Sequence, residues 1–290
     1  MSRKLFSVAN ALYGLLGAGV TLEDGIGVLI MGGSSEGLGI EICLALAIDW
    51  NLYVVNVDTK DMEVILDDRE AIIMDRNYSF VQCKDFTKPE SVLEALTKVQ
   101  ALQLPLKLLI NNMQHGLNTT FCPSFLLGNN AVSRLQEYTD SNVISVMVTT
   151  KYFMNVLVPQ TRRLLNGKTS FYIINLTSIL TLTTPGLAIE YISSKAALNR
   201  FHDGLTSELA LSLDKSYFKT LLIFLPYVRD GHTWENVSTE LCRQVIKHLK
   251  LGQRGCAKLH LGGYSSERWH GKIKENYRYK SGGWRPEWPS

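Results

Sequence analysis

The 290-residue chain is 46% hydrophobic and 20% charged, a balance that fills one sizeable core and excludes wholesale disorder. A formal charge of +3 falls short of the concentrated basic stripe that nucleic-acid binding requires, so no nucleic-acid partner is expected. Cys43, Cys83, Cys122, Cys242 and Cys256 are scattered, with no C-x-x-C pair and no histidine at ligand spacing, which argues against a metal site and predicts reduced thiols in a cytosol-facing protein.

Residues 1–24 differ in character from the rest of the chain. Leu5 to Val20 is mainly apolar, flanked by Arg3 and Lys4 before it and Glu23 and Asp24 after it. Its 16 residues fall below the roughly 20 that a helix needs to cross a bilayer. Two readings stay open: attachment to an intracellular membrane or lipid droplet, and packing on the domain's own surface.

From there the pattern alternates. Val28 to Met31 is an apolar run ending at glycines, followed by the helical spacing Ile40, Cys43, Leu44, Ala47. Tyr53 to Val57 is a second strand closed by Asp58, and Ser79 to Cys83 a third, before Asp85. Pro89 to Gln100 reads as a helix, Leu106 to Ile110 as the fourth strand, Phe171 to Leu176 as the fifth and Thr220 to Leu225 as the sixth. Leu259 to Leu261 is a short seventh. Long helices over about 141–165 and 191–213 separate the later strands. Continuously apolar strands alternating with helices predict an α/β fold, a doubly wound, Rossmann-like and mostly parallel seven-stranded sheet over residues 25–263, with a tail from 264 to 290.

Gly33-Ser34-Ser35-Glu36-Gly37-Leu38-Gly39 lies between the first strand and its helix. Glycines there let the backbone approach a pyrophosphate, which sits against the positive helix N-terminus. Nineteen residues after Gly39, Asp58 ends the second strand, where a carboxylate accepts hydrogen bonds from the adenosine ribose hydroxyls. Together with Glu36 it favours NAD over NADP; the alternative makes Asp58 a turn residue and Glu36 a solvated charge.

Ser178 follows the fifth strand, Tyr191 lies 13 residues later, and Tyr191-Ile192-Ser193-Ser194-Lys195 places tyrosine and lysine one helical turn apart. Tyrosine titrates near roughly 10 in water, too high for acid/base work at neutral pH, and a neighbouring ammonium lowers that value. On the glycine turn, Asp85-Phe86, Asn111-Asn112, Asn142, Ser178 and Tyr191-x-x-x-Lys195, the chain resembles the short-chain dehydrogenase/reductase family, in its compact branch. The resemblance implies an NAD(P)-dependent oxidoreductase acting between an alcohol and a ketone or aldehyde, with Asn142, Ser178, Tyr191 and Lys195 as its catalytic residues. It implies that Gly33, Ser35, Gly37, Leu38, Gly39, Asp58, Asp85, Phe86, Asn112, Tyr191, Lys195, Pro226 and Val228 bind the cofactor. It also implies a homo-oligomer built on the two long helices.

The pattern is broken at Gly32, where the family has threonine, at Met113-Gln114 in place of Ala-Gly, and at Tyr227 in place of glycine after Pro226. These departures leave a second reading open, a nucleotide-binding regulatory or scaffold protein of the same fold with little catalysis. The uncharged stretch Ile179 to Leu187 predicts a hydrophobic, lipid-like substrate. The tail, with Trp269, Lys272, Tyr277, Arg278, Trp284 and Arg285, predicts either an ordered cover or contact with an anionic membrane surface.

Overall fold

The computed structural model describes residues 27–34, 38–49, 51–64, 67–113, 130–166, 169–183, 189–211, 217–225 and 257–260. Among the described residues seven strands form one sheet in the order β3-β2-β1-β4-β5-β6-β7, and every pairing there is parallel. They are β1 Gly27–Met31, β2 Tyr53–Asp58, β3 Tyr78–Gln82, β4 Leu106–Asn111, β5 Phe171–Ser178, β6 Phe218–Leu225 and β7 Ala257–His260. The order reverses between β1 and β4, which opens a crevice at the carboxyl ends of those strands.

Strand alternation divides the core into two layers. Val28, Ile30, Leu108, Ile110, Ile174 and Leu176 face α1 (Leu38–Leu44) and the π-helical turn Ala45–Asp49 that extends it. Leu29, Met31, Leu109, Phe171 and Ile173 face α3 (Pro89–Ala101) and the helices over 131–165 and 189–211. Burial of each such side chain contributes about 1.5–3 kcal/mol over leaving it exposed, so both faces hold the sheet.

The helical stretch begins earlier than expected. It runs as α4 Ala131–Thr139, a π-helical turn Asp140–Ile144, α5 Ser145–Tyr152, a second π-helical turn Phe153–Leu157 and α6 Val158–Leu165. The first of these segments escapes periodicity because it buries only Ala131 and Tyr138 while Val132 faces solvent. After β5 come the short α7 Leu180–Thr183 and the long α8 Ile189–Leu211. Helix α8 is described to Leu211, and the expected end at 213 lies outside the described residues. β3 starts at Tyr78 and β6 at Phe218, because Tyr78 pairs with Val54 and Phe218 with Phe171. Strand β7 includes Ala257 and Lys258, paired with Leu221 and Leu222, ahead of the expected start at Leu259, and Leu261 lies outside the described residues.

Helix α2 (Asp68–Asn77) fills the space between β2 and β3. Its start is set by a capping box: the Asp67 carboxylate accepts from Glu70 N at 2.9 Å, and Asp67 N donates to Glu70 Oε2 at 3.1 Å. No described helix is long and apolar enough to cross a membrane. Residues 5–20 and 264–290 lie outside the described residues.

Candidate active site

The crevice is built first from β1 and its turn. Gly32 has a φ of +82°, a conformation that threonine adopts only under strain, and its N–H donates to Val57 O at 2.8 Å. A side chain at Gly32 would also meet the Asn112 backbone and the Met113 sulfur, so the glycine and the bulky methionine are mutually compatible exceptions to the family pattern. Asn112 closes the arrangement: its N–H donates to Met31 O and its Nδ2 to Gly32 O at 2.7 Å. Asn112 Oδ1 is buried and has no hydrogen-bond partner among the described residues, a polar acceptor left over once the turn is built.

Gly39 opens α1 under the same turn. A Cβ there would lie 2.8 Å from Gly32 O and 2.9 Å from Asn112 Nδ2. Gly39→Ala is therefore expected to push the turn off the helix, costing about 1–3 kcal/mol of stability and most nucleotide affinity. Thermal melts with and without NADH check this; an unchanged melting point and an unchanged Kd would contradict it.

Asp58 stands where expected, at the end of β2, with 8% of its surface exposed. Its Oδ2 accepts from Ser34 N at 2.9 Å and its Oδ1 from Thr59 N at 2.7 Å. Burial pushes its carboxyl up, while those two amides pull it back down. Asp85 follows β3 and is held below its usual range by the hydroxyl and amide of Thr87, with Phe86 buried beside it in the core. Leu38 is buried at the first position of α1. Ser35, Gly37, Pro226 and Val228 lie outside the described residues, as do Glu36, Gln114 and Tyr227.

The second half of the site comes from the carboxyl ends of β4 and β5. Ser178 ends β5, and its Oγ accepts from Leu180 N at 3.2 Å. Tyr191, in the first turn of α8, is 2% exposed, and its phenol is hydrogen-bonded to the Ser178 side chain. Lys195 is fully buried one turn on, with Nζ 5.9 Å from the centre of the Tyr191 ring. Its Nζ donates to the backbone carbonyls of Met113 and, at 3.3 Å, of Leu176.

Sequence reasoning expects the lysine to lower the phenol. In this arrangement burial dominates both groups: it pushes Tyr191 up, with only the Ser178 hydrogen bond opposing, and pushes Lys195 down to about 7.

Asn142 occupies the π-helical turn between α4 and α5, where the Ser145 amide reaches back to Asp140 O. Such widened turns mark functional sites in other helices. Its Nδ2 donates to Ser194 Oγ at 3.2 Å, and Ser194 Oγ donates to Tyr191 O at 2.8 Å. Asn142 is thus tied to the backbone of the helix that carries Tyr191 and Lys195. The four residues expected to act together are brought to one end of the sheet.

Three features escape the sequence reading. Arg134 of α4 and Glu190 of α8 form an ion pair of 3.1 Å, with Glu190 2% exposed, which fixes the first turn of α8. Asn111, Asn175 and His202 form a buried polar string from β4 through β5 into α8. Asn56, in the middle of β2, holds the glycine turn from beneath. A polar residue inside the apolar run Tyr53 to Val57 is a signal that would have found the last.

A family model described as short chain dehydrogenase matches residues 27–212, a stretch that contains Asn142, Ser178, Tyr191 and Lys195. The chain belongs to the short-chain dehydrogenase family. That family is one of NAD(P)-dependent oxidoreductases, and enzyme chemistry of this type follows from membership. The chain is 32% identical over 260 residues to the oxidoreductase-like protein SRL4 of Saccharomyces cerevisiae, covering 88% of this chain and 92% of that one. Among solved structures it is similar to the NADH-dependent reductase A1-R' complexed with NAD, with a TM-score of 0.60 at 20% identity over 83% of this chain and 96% of that chain. A short chain dehydrogenase from Burkholderia cenocepacia in complex with NADP has a TM-score of 0.57 at 19% identity, over 86% of this chain and 92% of that chain. The fold therefore accommodates either dinucleotide in its relatives.

Proposed function

We propose that this short-chain dehydrogenase interconverts an alcohol and a ketone or aldehyde on a hydrophobic, lipid-like substrate, with NAD preferred over NADP and Tyr191 as the acid/base. The observation that carries the reading is the Ser178–Tyr191 hydrogen bond with Lys195 one turn beyond it, at the same end of the sheet as the glycine turn.

The residues present fit a dinucleotide. Gly39 lets α1 close directly against the turn at Gly32 and Gly33, and Asn112 Oδ1 is a buried acceptor with no donor among the described residues. Gly33, Ser35, Gly37, Leu38 and Gly39 would hold its pyrophosphate, Asp58 its adenosine ribose, and Asp85 and Phe86 its adenine. Asn112, Tyr191, Lys195, Pro226 and Val228 would hold the nicotinamide end. When bound, the nicotinamide supplies hydride-transfer chemistry.

The chain's own groups handle the proton. Ser178 Oγ orients the substrate oxygen beside the phenol, and Tyr191 Oη gives a proton to that oxygen in reduction or takes it in oxidation. Burial keeps Tyr191 protonated at neutral pH, which suits the reducing direction. Oxidation needs an ammonium on Lys195 to stabilise the phenolate. Asn142 steadies α8 through Ser194. Apolar Ile179, Leu180 and Leu182 beside Ser178, the last partly exposed, support a substrate without charge.

NAD preference rests on the buried carboxylate of Asp58, which a 2′-phosphate would approach as a like charge. NADH is expected to bind at least about tenfold tighter than NADPH in fluorescence titrations. Tighter NADPH binding would overturn the charge argument. Decay of the bound-cofactor signal on adding a panel of lipid-like carbonyls tests the reaction itself. The reading as a nucleotide-binding scaffold draws on the Lys195–Met113 carbonyl bond and the methionine packed on Gly32. It predicts the same binding with no decay.

A further inference from the structure

Behind the glycine turn lies a polar chain embedded in apolar strand. Asn56 sits third from the end of β2, two residues before Asp58 on the same strand face, and is completely buried. Its Oδ1 accepts from Gly33 N at 3.0 Å, and its Nδ2 donates to Ser34 Oγ at 2.8 Å and to Tyr78 Oη at 2.9 Å. Tyr78, on the neighbouring β3, donates in turn to Asp61 Oδ1 at 2.6 Å.

The direction of every bond in this chain is fixed by chemistry. A backbone N–H can only donate, so the amide oxygen faces Gly33. The Asp61 carboxylate takes the Tyr78 proton, so the phenol oxygen is left to accept from Asn56. Ser34 Oγ likewise accepts from Asn56, which turns the hydroxyl's own proton toward another acceptor.

We infer that Asn56, anchored by Tyr78 and Asp61, is a positioning residue that presets the phosphate-binding turn. Two neighbouring same-face residues of β2 divide the work. Asp58 takes the Ser34 amide and Asn56 takes the Gly33 amide and the Ser34 hydroxyl. With those two amides engaged inward, this part of the turn is held before any ligand arrives. Close packing makes the arrangement tight: a Cβ on Gly33 would meet Asn56 Oδ1 at 2.5 Å and the Cys43 sulfur at 2.7 Å. An apolar residue of similar size at 56 would fill the same volume and leave the Gly33 amide without its acceptor.

This inference rests on the nucleotide-binding reading proposed above, and its test separates the two. NADH fluorescence is measured on the full chain, wild type and Asn56→Leu, and displaced with ADP, which carries a pyrophosphate, or adenosine, which does not. ADP is expected to compete about tenfold or more less strongly in the variant, with adenosine changed by less than about twofold. Equal weakening of both competitors would mean general loosening and would overturn the inference, as would unchanged ADP competition. A wild-type chain that binds neither NADH nor ADP overturns the functional reading and the inference with it. Tyr78→Phe, at a half-buried position, guards against a variant that fails to fold. It removes only the anchor behind Asn56, and ADP should weaken about threefold with adenosine unmoved. Unchanged ADP competition in Tyr78→Phe, where Asn56→Leu does not fold, would also overturn it.

Discussion

Tyr191→Phe is expected to lower turnover by about a thousandfold while leaving the NADH dissociation constant within about twofold. The substitution removes one oxygen and keeps the ring, which is 2% exposed and packed where α8 meets the end of β5. Ser178 loses the phenol but still accepts from Leu180 N, so the stability cost should stay near about 1 kcal/mol. What disappears is the proton-bearing group that α8 supplies to Ser178 Oγ. Ser178 cannot replace it, since a serine hydroxyl holds its proton too firmly to release it readily near neutral pH. Single-turnover absorbance of NADH with an active carbonyl measures the loss. Retained turnover would remove Tyr191 from the mechanism, whereas lost cofactor binding would show that the hydroxyl, and not the ring alone, is needed to hold the cofactor.

How far the sequence anticipates this site depends on which interactions are local. The glycine turn, Asp58, and the pair Tyr191 and Lys195 are legible because each is fixed within one strand-turn-helix unit or one helical turn. The strand order comes from the pairings in the structure, whereas the doubly wound parallel class is legible because apolar strands alternate with helices. Groups that meet across the fold are not. Nothing in the spacing of Arg134 and Glu190, 56 residues apart, announces an ion pair beneath Tyr191. The Asn56–Gly33 bond likewise joins β2 to the turn after β1, and the Asn111–Asn175 bond joins β4 to β5. Helix α4 escapes because it buries only Ala131 and Tyr138, and the start of α2 because apolar spacing misses the capping pair Asp67 and Glu70 that carries the signal. The phenol–ammonium coupling is overdrawn in a reading from spacing alone because a sequence shows neighbours and not solvent: burial governs Tyr191 and Lys195 alike.

That burial makes Lys195 a cost to the fold that the protein's pH dependence should reveal. Its ordinary value of 10.5 falls to about 7 in the folded chain through desolvation. Between those two values the unfolded chain keeps the proton that the folded chain has released, so stability rises with pH across that window. Below about 7 both states are protonated and the penalty is complete, on the order of 4–5 kcal/mol. Lys195→Met should flatten this slope between about pH 7 and 10. It should also make the cofactor-free chain more stable at pH 6 by about 1–4 kcal/mol, even though the Met113 and Leu176 carbonyls lose a donor. Urea unfolding of both chains at about pH 6, 8 and 9.5 isolates the effect, because every other titrating group is common to the two. Parallel pH profiles would show that the lysine is solvated in the folded state. A more stable but inactive variant would instead identify the buried ammonium as a group retained for chemistry against the interest of folding, which is what a functional lysine in an apolar core implies.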